Sequence, residues 1–261
     1  MKKLVFLLSL FTIGFNLYSQ NSQSVYTLDL RRDIAISTLA LGVFVVPFFI
    51  NDDRPAPPIL DRNDVNAFDR WLMFPHNLGW QIAAWPLLAA GAASTFVPPL
   101  ILGWGDQRGN FSTWLTYGIM FTQALLFTHG TKDIIGRTVH RYRPSVYFHD
   151  VEYEGLFFRR SFPSGTTAGA SMFATFFSVT FSQEFPDSRW RVPVIVGSHT
   201  LASFVGVTRI LSSSHFLTDV LAGAAIGSFY GWLIPTLHRK TGNDRFSLHP
   251  KGNGLMVSFR F

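Results

Sequence analysis

The chain contains no cysteine. Disulfide scaffolds, thiol nucleophiles and cysteine-ligated metals are therefore excluded. Charge is scarce too: charged residues make up 15% of the 261 positions, against roughly 25% in an average globular chain. That leaves few groups to solvate an outer surface. There is no internal repeat and no low-complexity tract. The net charge of +6 is not laid out in the polar basic runs of a nucleic-acid binder. Its cations sit at the ends of apolar stretches and in one cluster at 132–143. An anionic substrate or anionic lipid headgroups fit that distribution better than nucleic acid does, and no obligate protein partner is evident.

What the chain has in quantity is apolar: hydrophobic residues reach 48%, with 27 Phe. Residues 1–20 read as a signal peptide, with Lys2 and Lys3 before an apolar core and Ser19 in a weak cleavage site; an uncleaved anchor is the alternative. Apolar segments then recur at 34–50, 81–104, 111–127, 166–181, 192–211 and 216–237. A membrane span takes about 20 mainly apolar residues, and most of these qualify or come close. The Ser, Thr and Gly among them suit helices packed on one another. Loop 51–68, rich in Pro and Asp, is aqueous. The tail at 241–261 reads as a short β-hairpin around Asn253-Gly254. The expected fold is thus all-α, a membrane bundle of about six helices over 21–240, followed by that hairpin.

Three polar clusters fall at segment ends. The first runs through Lys132, Arg137, His140, Arg141, Arg143 and Pro144. A cationic face there neutralises phosphate, although basic runs beside membranes also bind lipid headgroups. The second is Arg159-Arg160-Ser161-Phe162-Pro163-Ser164-Gly165-Thr166-Thr167. Ser164 or Thr166 can cap a helix here, and free N–H groups at a helix N-terminus bind anions. The third holds Thr208, Arg209, His215 and Asp219. His215 and Asp219 are four apart, so a helix places them on one face. A carboxylate beside an imidazole sets its tautomer and leaves the other nitrogen to attack. Arg209 offers a bidentate fork for phosphate oxygens. No cluster has trustworthy metal-ligand spacing.

Together these residues resemble the three signature motifs of the type-2 phosphatidic acid phosphatase (PAP2) and vanadium haloperoxidase superfamily. That pattern is Lys-x6-Arg-Pro, Pro-Ser-Gly-His and Ser-Arg-x5-His-x3-Asp. The resemblance implies a phosphatase acting on a lipid phosphate or pyrophosphate through a phosphohistidine, without metal or other cofactor. His215 would be the nucleophile, supported by Asp219 with Arg209. Lys132, Arg143, Ser164, Gly165, Thr166 and Thr208 would bind phosphate. The alternatives are a vanadate-dependent haloperoxidase and a non-catalytic lipid-phosphate binder.

The chain departs from the pattern three times. Thr208 replaces Ser and keeps a hydroxyl. Ten residues, not six, separate Lys132 from Arg143. On a continuous helix the longer spacing adds about one turn and roughly keeps the face; otherwise Arg137 or Arg141 would substitute. Thr166 replaces the motif's His, which in the family protonates the leaving oxygen. Losing a general acid costs about 10² to 10⁴ in rate. His140 or His149 could supply the proton, or a pyrophosphate leaving group, with a pKa near ~6, could need little help. His129 reads as a structural histidine that could alternatively line the site, and His199 as a helix–helix contact. His76, His238 and His249 read as surface or interface residues.

Sidedness is in conflict. Six spans from 34–50 onward put both termini opposite the clusters, so a cleaved signal would turn the site inward. Arg108, Arg189, Arg191, Arg239 and Lys240 lie opposite the clusters and favour a site facing the periplasm or exterior of a cell-envelope membrane. With a cleaved signal, that orientation would need one segment to be misread, with 34–50 lying along the membrane rather than crossing it.

Overall fold

The computed structural model describes residues 24–51, 60–102, 111–148, 156–240, 246–251 and 254–259. The proposed signal peptide, His149 and Arg108 lie outside them.

Eight α-helices are present among the described residues, which corrects the expected six. They are α1 Leu30–Val45, α2 Ala67–Arg70, α3 Leu78–Ser94, α4 Val97–Leu102, α5 Phe111–Val139, α6 Gly165–Glu184, α7 Arg191–Leu211 and α8 Leu217–His238. The count rises for two physical reasons. The segment at 81–104 breaks at Thr95-Phe96, ahead of Pro98-Pro99, which cannot donate to a continuing ladder. The loop at 51–68 gives way to α2, whose N-cap Asn66 accepts from Asp69 N at 3.0 Å. Strands Phe246–Lys251 and Gly254–Phe259 pair antiparallel with each other, Phe246 opposite Phe259.

Helix α6 is the axis of the bundle, and twelve of its twenty residues are buried. Its closest partner is α8, whose Gly223, Gly227 and Gly231 recur every four residues along one face. A Cβ at Gly227 would lie 2.0 Å from Ala168 O, at Gly223 2.4 Å from Ser164 O, and at Gly231 2.6 Å from Met172 O. The two backbones thus touch along three turns, the close approach that small residues permit. This contact brings the start of α8 against the start of α6.

Among the described residues, three helices are long and apolar enough to cross a membrane: 30–49 (α1 with the 3-10 turn Val46–Phe49), α7 and α8. That corrects an expectation of about six. Helix α6 needs no apolar surface, because protein surrounds it. Large apolar side chains such as Phe49, Val192, Phe204 and Trp232 stand exposed on the outside of the bundle, where lipid can cover them.

Helix α1 packs lengthwise on the bundle. Thr27 N donates to His238 O at 3.0 Å, beside the bridge of Tyr26 to Arg239, so α1 begins at the C-terminal end of α8. Near its other end Val43 backs onto Gly130, where a Cβ would meet Val43 O at 2.6 Å. Gly130 is two residues from Lys132, so α1 runs the length of the bundle.

Candidate active site

His215 stands between two helices. After α7 ends, Ser213 turns the chain with φ 58°, and the N–H groups of Ser214 and His215 both donate to Arg209 O at 3.1 and 3.2 Å. Helix α8 then starts, with Asp219 Oδ2 accepting from Phe216 N at 2.9 Å. Asp219 therefore caps its own helix while facing His215, with 3.7 Å between His215 Nδ1 and Asp219 Oδ2.

The tautomer of His215 follows from another contact. Nδ1 lies 2.7 Å from Ser161 O. A carbonyl only accepts, so Nδ1 carries the proton and Nε2 carries the lone pair. Burial and the Arg143 cation push the His215 pKa down to about 4, against the support of Asp219 and Ser161. At neutral pH the ring is a free base.

Arg143 reaches the site although α5 ends at Val139, so helix continuation is not what brings it there. His140 takes φ 52° and reverses the chain. Ser161 N then donates to Arg141 O at 2.8 Å and Arg143 N to Phe158 O at 3.0 Å. Arg143 Nη1 donates to Ser214 O at 2.8 Å and lies 3.3 Å from His215 Nε2. Burial lowers its pKa to about 10, which leaves it a cation at neutral pH.

Both groups open on a cavity of about 260 Å³. Lys132, Arg143, Arg160 and His215 form its polar wall; Trp85, Leu88 and Phe173 form an apolar wall. Gly165 and Thr166 line it from the N-terminus of α6, with Ser164 as N-cap accepting from Thr167 N at 3.4 Å. That end presents free N–H groups and the positive end of the helix dipole. Gly165 lets Lys132 lie close against this helix start: a Cβ there would be 2.9 Å from Lys132 Cδ. Ligand pockets run to roughly 300–1,000 Å³, so this cavity suits a headgroup rather than a whole lipid.

Five of the nine expected site residues line the cavity: Lys132, Arg143, Gly165, Thr166 and His215. Four stand behind it. Asp219 supports, and Ser164 caps. Thr208 Oγ1 donates to Val205 O at 2.7 Å. Arg209 Nη2 donates to Trp80 O and Gln81 O at 3.0 and 2.6 Å, at the start of α3. Arg137 donates to Ile50 O at 3.3 Å, away from the cavity.

A supporting layer was not anticipated. Arg141 bridges Asp219 Oδ1 and Asp69 Oδ2, both at 2.6 Å. Asp69 also accepts from Thr218 N at 2.9 Å and from Thr218 Oγ1 at 2.6 Å. Burial pushes the Asp69 pKa up, but its hydrogen bonds from Arg141 and Thr218 outweigh that and hold it low. Ser161 Oγ donates to Asp219 Oδ2 at 2.5 Å. The sequence signal for Asp69 was only an Asn-x-x-Asp cap; its partner lies 72 positions away.

The PAP2 superfamily family model matches residues 112–243. The chain belongs to that superfamily. A lipid A 1-phosphatase of Porphyromonas gingivalis is 34% identical over 102 residues, 38% of this chain and 22% of that protein. Lipid A 1-phosphatases of Rhizobium johnstonii and Rhizobium etli are 31% and 30% identical over 150 residues, 54% of this chain and 55% and 58% of theirs. The chain thus spans between about a fifth and three fifths of these curated relatives. A transmembrane PAP2-type phosphatidylglycerolphosphate phosphatase from Bacillus subtilis overlaps 90% of this chain and 94% of its own, at 19% identity and a TM-score of 0.38, too low to carry an argument. With its apolar helices, this PAP2 member is a membrane protein.

Proposed function

We propose that this chain hydrolyses a phosphate monoester carried on a membrane lipid, with His215 as nucleophile. The observation that carries the reading is the presentation of His215: Nδ1–H is held by Ser161 O, and Nε2 faces a cavity walled by Lys132, Arg143 and Arg160. In the reaction, Nε2 attacks phosphorus, the bond to the leaving oxygen breaks, and water later cleaves the P–N bond. The cations and the α6 N-terminus balance the phosphate charge throughout, the positioning and electrostatics that phosphoryl transfer requires. Each step uses the chain's own groups and calls on no metal.

Phosphate release from a panel of lipid monophosphates and pyrophosphates by purified protein tests this. Hydrolysis by the unsubstituted chain, abolished in His215→Ala, is expected. A second reading, a binder without turnover, is favoured by Thr166 in the cavity wall. It predicts that both proteins bind lipid phosphate and neither releases phosphate.

The site is proposed to face away from the cytoplasm. Arg189, Arg191, Arg239 and Lys240 cluster at the opposite end of the bundle, as the positive-inside tendency favours. A reporter fused after Lys240 should then report a cytoplasmic position.

A further inference from the structure

The proposed chemistry lacks a proton donor at position 166, because a threonine hydroxyl is far too weak an acid to protonate a leaving alkoxide. Five histidines other than His215 have described side chains and could be considered as donors. The His76, His140, His199 and His238 rings bond to Gln81, Thr138 O, Ile195 O and Ile234 O respectively, and none of the four lines the cavity. His129 does line it, together with His215 and Thr166. No hydrogen bond holds its ring among the described residues.

The backbone explains how it gets there. His129 and Lys132 are three apart on α5 and share a face. Each meets a glycine of α6: a Cβ at Gly165 would lie 2.9 Å from Lys132 Cδ, and one at Gly169 would lie 3.9 Å from His129 Nε2. The two helices run antiparallel at this contact. His129 therefore enters the cavity wall one turn along α6 from Thr166.

Resting on the phosphatase reading, we propose that His129 is the general acid of this enzyme, donating from the neighbouring helix the proton that residue 166 cannot. Burial and the Lys132 cation lower the His129 pKa, and an anionic phosphate beside it in the cavity favours the imidazolium. When His215 Nε2 forms its bond to phosphorus, the P–O bond breaks and the leaving oxygen takes a proton from that imidazolium. Neutral His129 then accepts a proton from the water that attacks the phosphohistidine. The P–N bond breaks, phosphate leaves, and both rings return to their starting states.

The test uses full-length protein in detergent and two lipid-tailed monoesters that differ only in the leaving oxygen, one alkyl and one aryl. An aryl oxide leaves without help. His129→Ala should lower kcat/KM by about 10² to 10⁴ for the alkyl ester, and by less than about tenfold for the aryl ester. The aryl ester should also show a burst of one phenol per enzyme followed by slow turnover. Adding Thr166→His to His129→Ala should restore alkyl hydrolysis by about 10²-fold, the low end of a general acid's contribution. His129→Gln, with an unchanged melting temperature, should repeat the selective loss. Equal losses on both esters, or no loss on the alkyl ester, would overturn the assignment. Absence of hydrolysis by the unsubstituted chain on either ester overturns the phosphatase reading, and the inference with it. Loss of both activities in His215→Ala alone leaves that reading standing while the His129 arms decide the acid.

Discussion

Helix α8 carries a buried His–Asp pair at each end, and the two pairs behave differently. At its start are His215 and Asp219; at its end, about 33 Å away at 1.5 Å per residue, are His238 and Asp33. All four side chains are buried. At the far end both ring nitrogens of His238 face acceptor oxygens, Nδ1 at 2.8 Å from Ile234 O and Nε2 at 3.0 Å from Asp33 Oδ1. Arg32 closes that cluster onto Asp33, Thr27 O and Leu237 O. It ties the stretch before α1 to the end of α8. At the near end one nitrogen is anchored and the other faces a cation-walled cavity. The same residue types thus make a fastener or a nucleophile, according to whether the second nitrogen meets a buried carboxylate or lies at a cavity wall beside a cation. His238, expected at a surface or interface, is fully buried.

That contrast can be broken by substitution. His215→Ala should abolish hydrolysis, by about 10⁴-fold or more as for other nucleophiles, with folding retained. His238→Ala should leave kcat within a few-fold but cost about 1–3 kcal/mol, because Asp33 loses a buried partner; chemical denaturation and phosphate release read the two effects. Comparable activity loss in both would erase the distinction between the ends.

Arg141→Met should combine both effects. It leaves the carboxylates of Asp69 and Asp219 without their shared cation. The expected cost is about 3 kcal/mol, the low end for a broken buried pair, since Arg141 is itself 21% exposed. Hydrolysis should fall about 10²-fold as His215 loses its backing, in line with small misplacements of reacting groups. The same assays check it, and full activity would show that the Asp69–Arg141 layer is dispensable.

Arg143→Gln sharpens the electrostatic side. Arg143 is the second cause, after burial, of the lowered His215 pKa. Removing its charge should raise that pKa, so the acid limb of the kcat/KM profile moves to higher pH, and activity lost at pH 5 should exceed that lost at pH 8. An unmoved acid limb would mean that another group governs it.

The last effect is on stability. His215 titrates near 6.5 unfolded and at about 4 folded. The unfolded chain therefore binds more protons between those values. The stabilisation is present above about pH 6.5 and is lost as pH falls toward 4, by roughly 3 kcal/mol. Asp69, held low, acts in the same direction at more acid pH. Thermal melts at pH 7 and pH 4.5 should differ accordingly, and the difference should shrink in His215→Ala.

Local patterns decided much of this protein. The runs at 166–181, 192–211 and 216–237 reappear as α6, α7 and α8 within a few residues, because long apolar periodicity has few other solutions. Ser164 as a cap and the four-residue spacing of His215 and Asp219 are likewise local facts. The sequence could not show how many helices meet lipid. A helix such as α6 earns its stability from neighbours, so its composition says little about spanning. Nor could it show that Arg209, the best-placed cation by motif, bonds to the carbonyls of Trp80 and Gln81.

The sequence alone determined the superfamily, the His215–Asp219 pair and the absence of a histidine at 166, since these are residue identities at fixed spacings. The tertiary structure decided which residues meet. Glycine contacts between α8 and α6 bring Ser161 to His215 and Asp219, a chain reversal at His140 returns Arg143 to the cavity, and the antiparallel contact of α5 with α6 places His129 beside Thr166. Those pairings depend on backbone approach between distant segments, which no local pattern encodes.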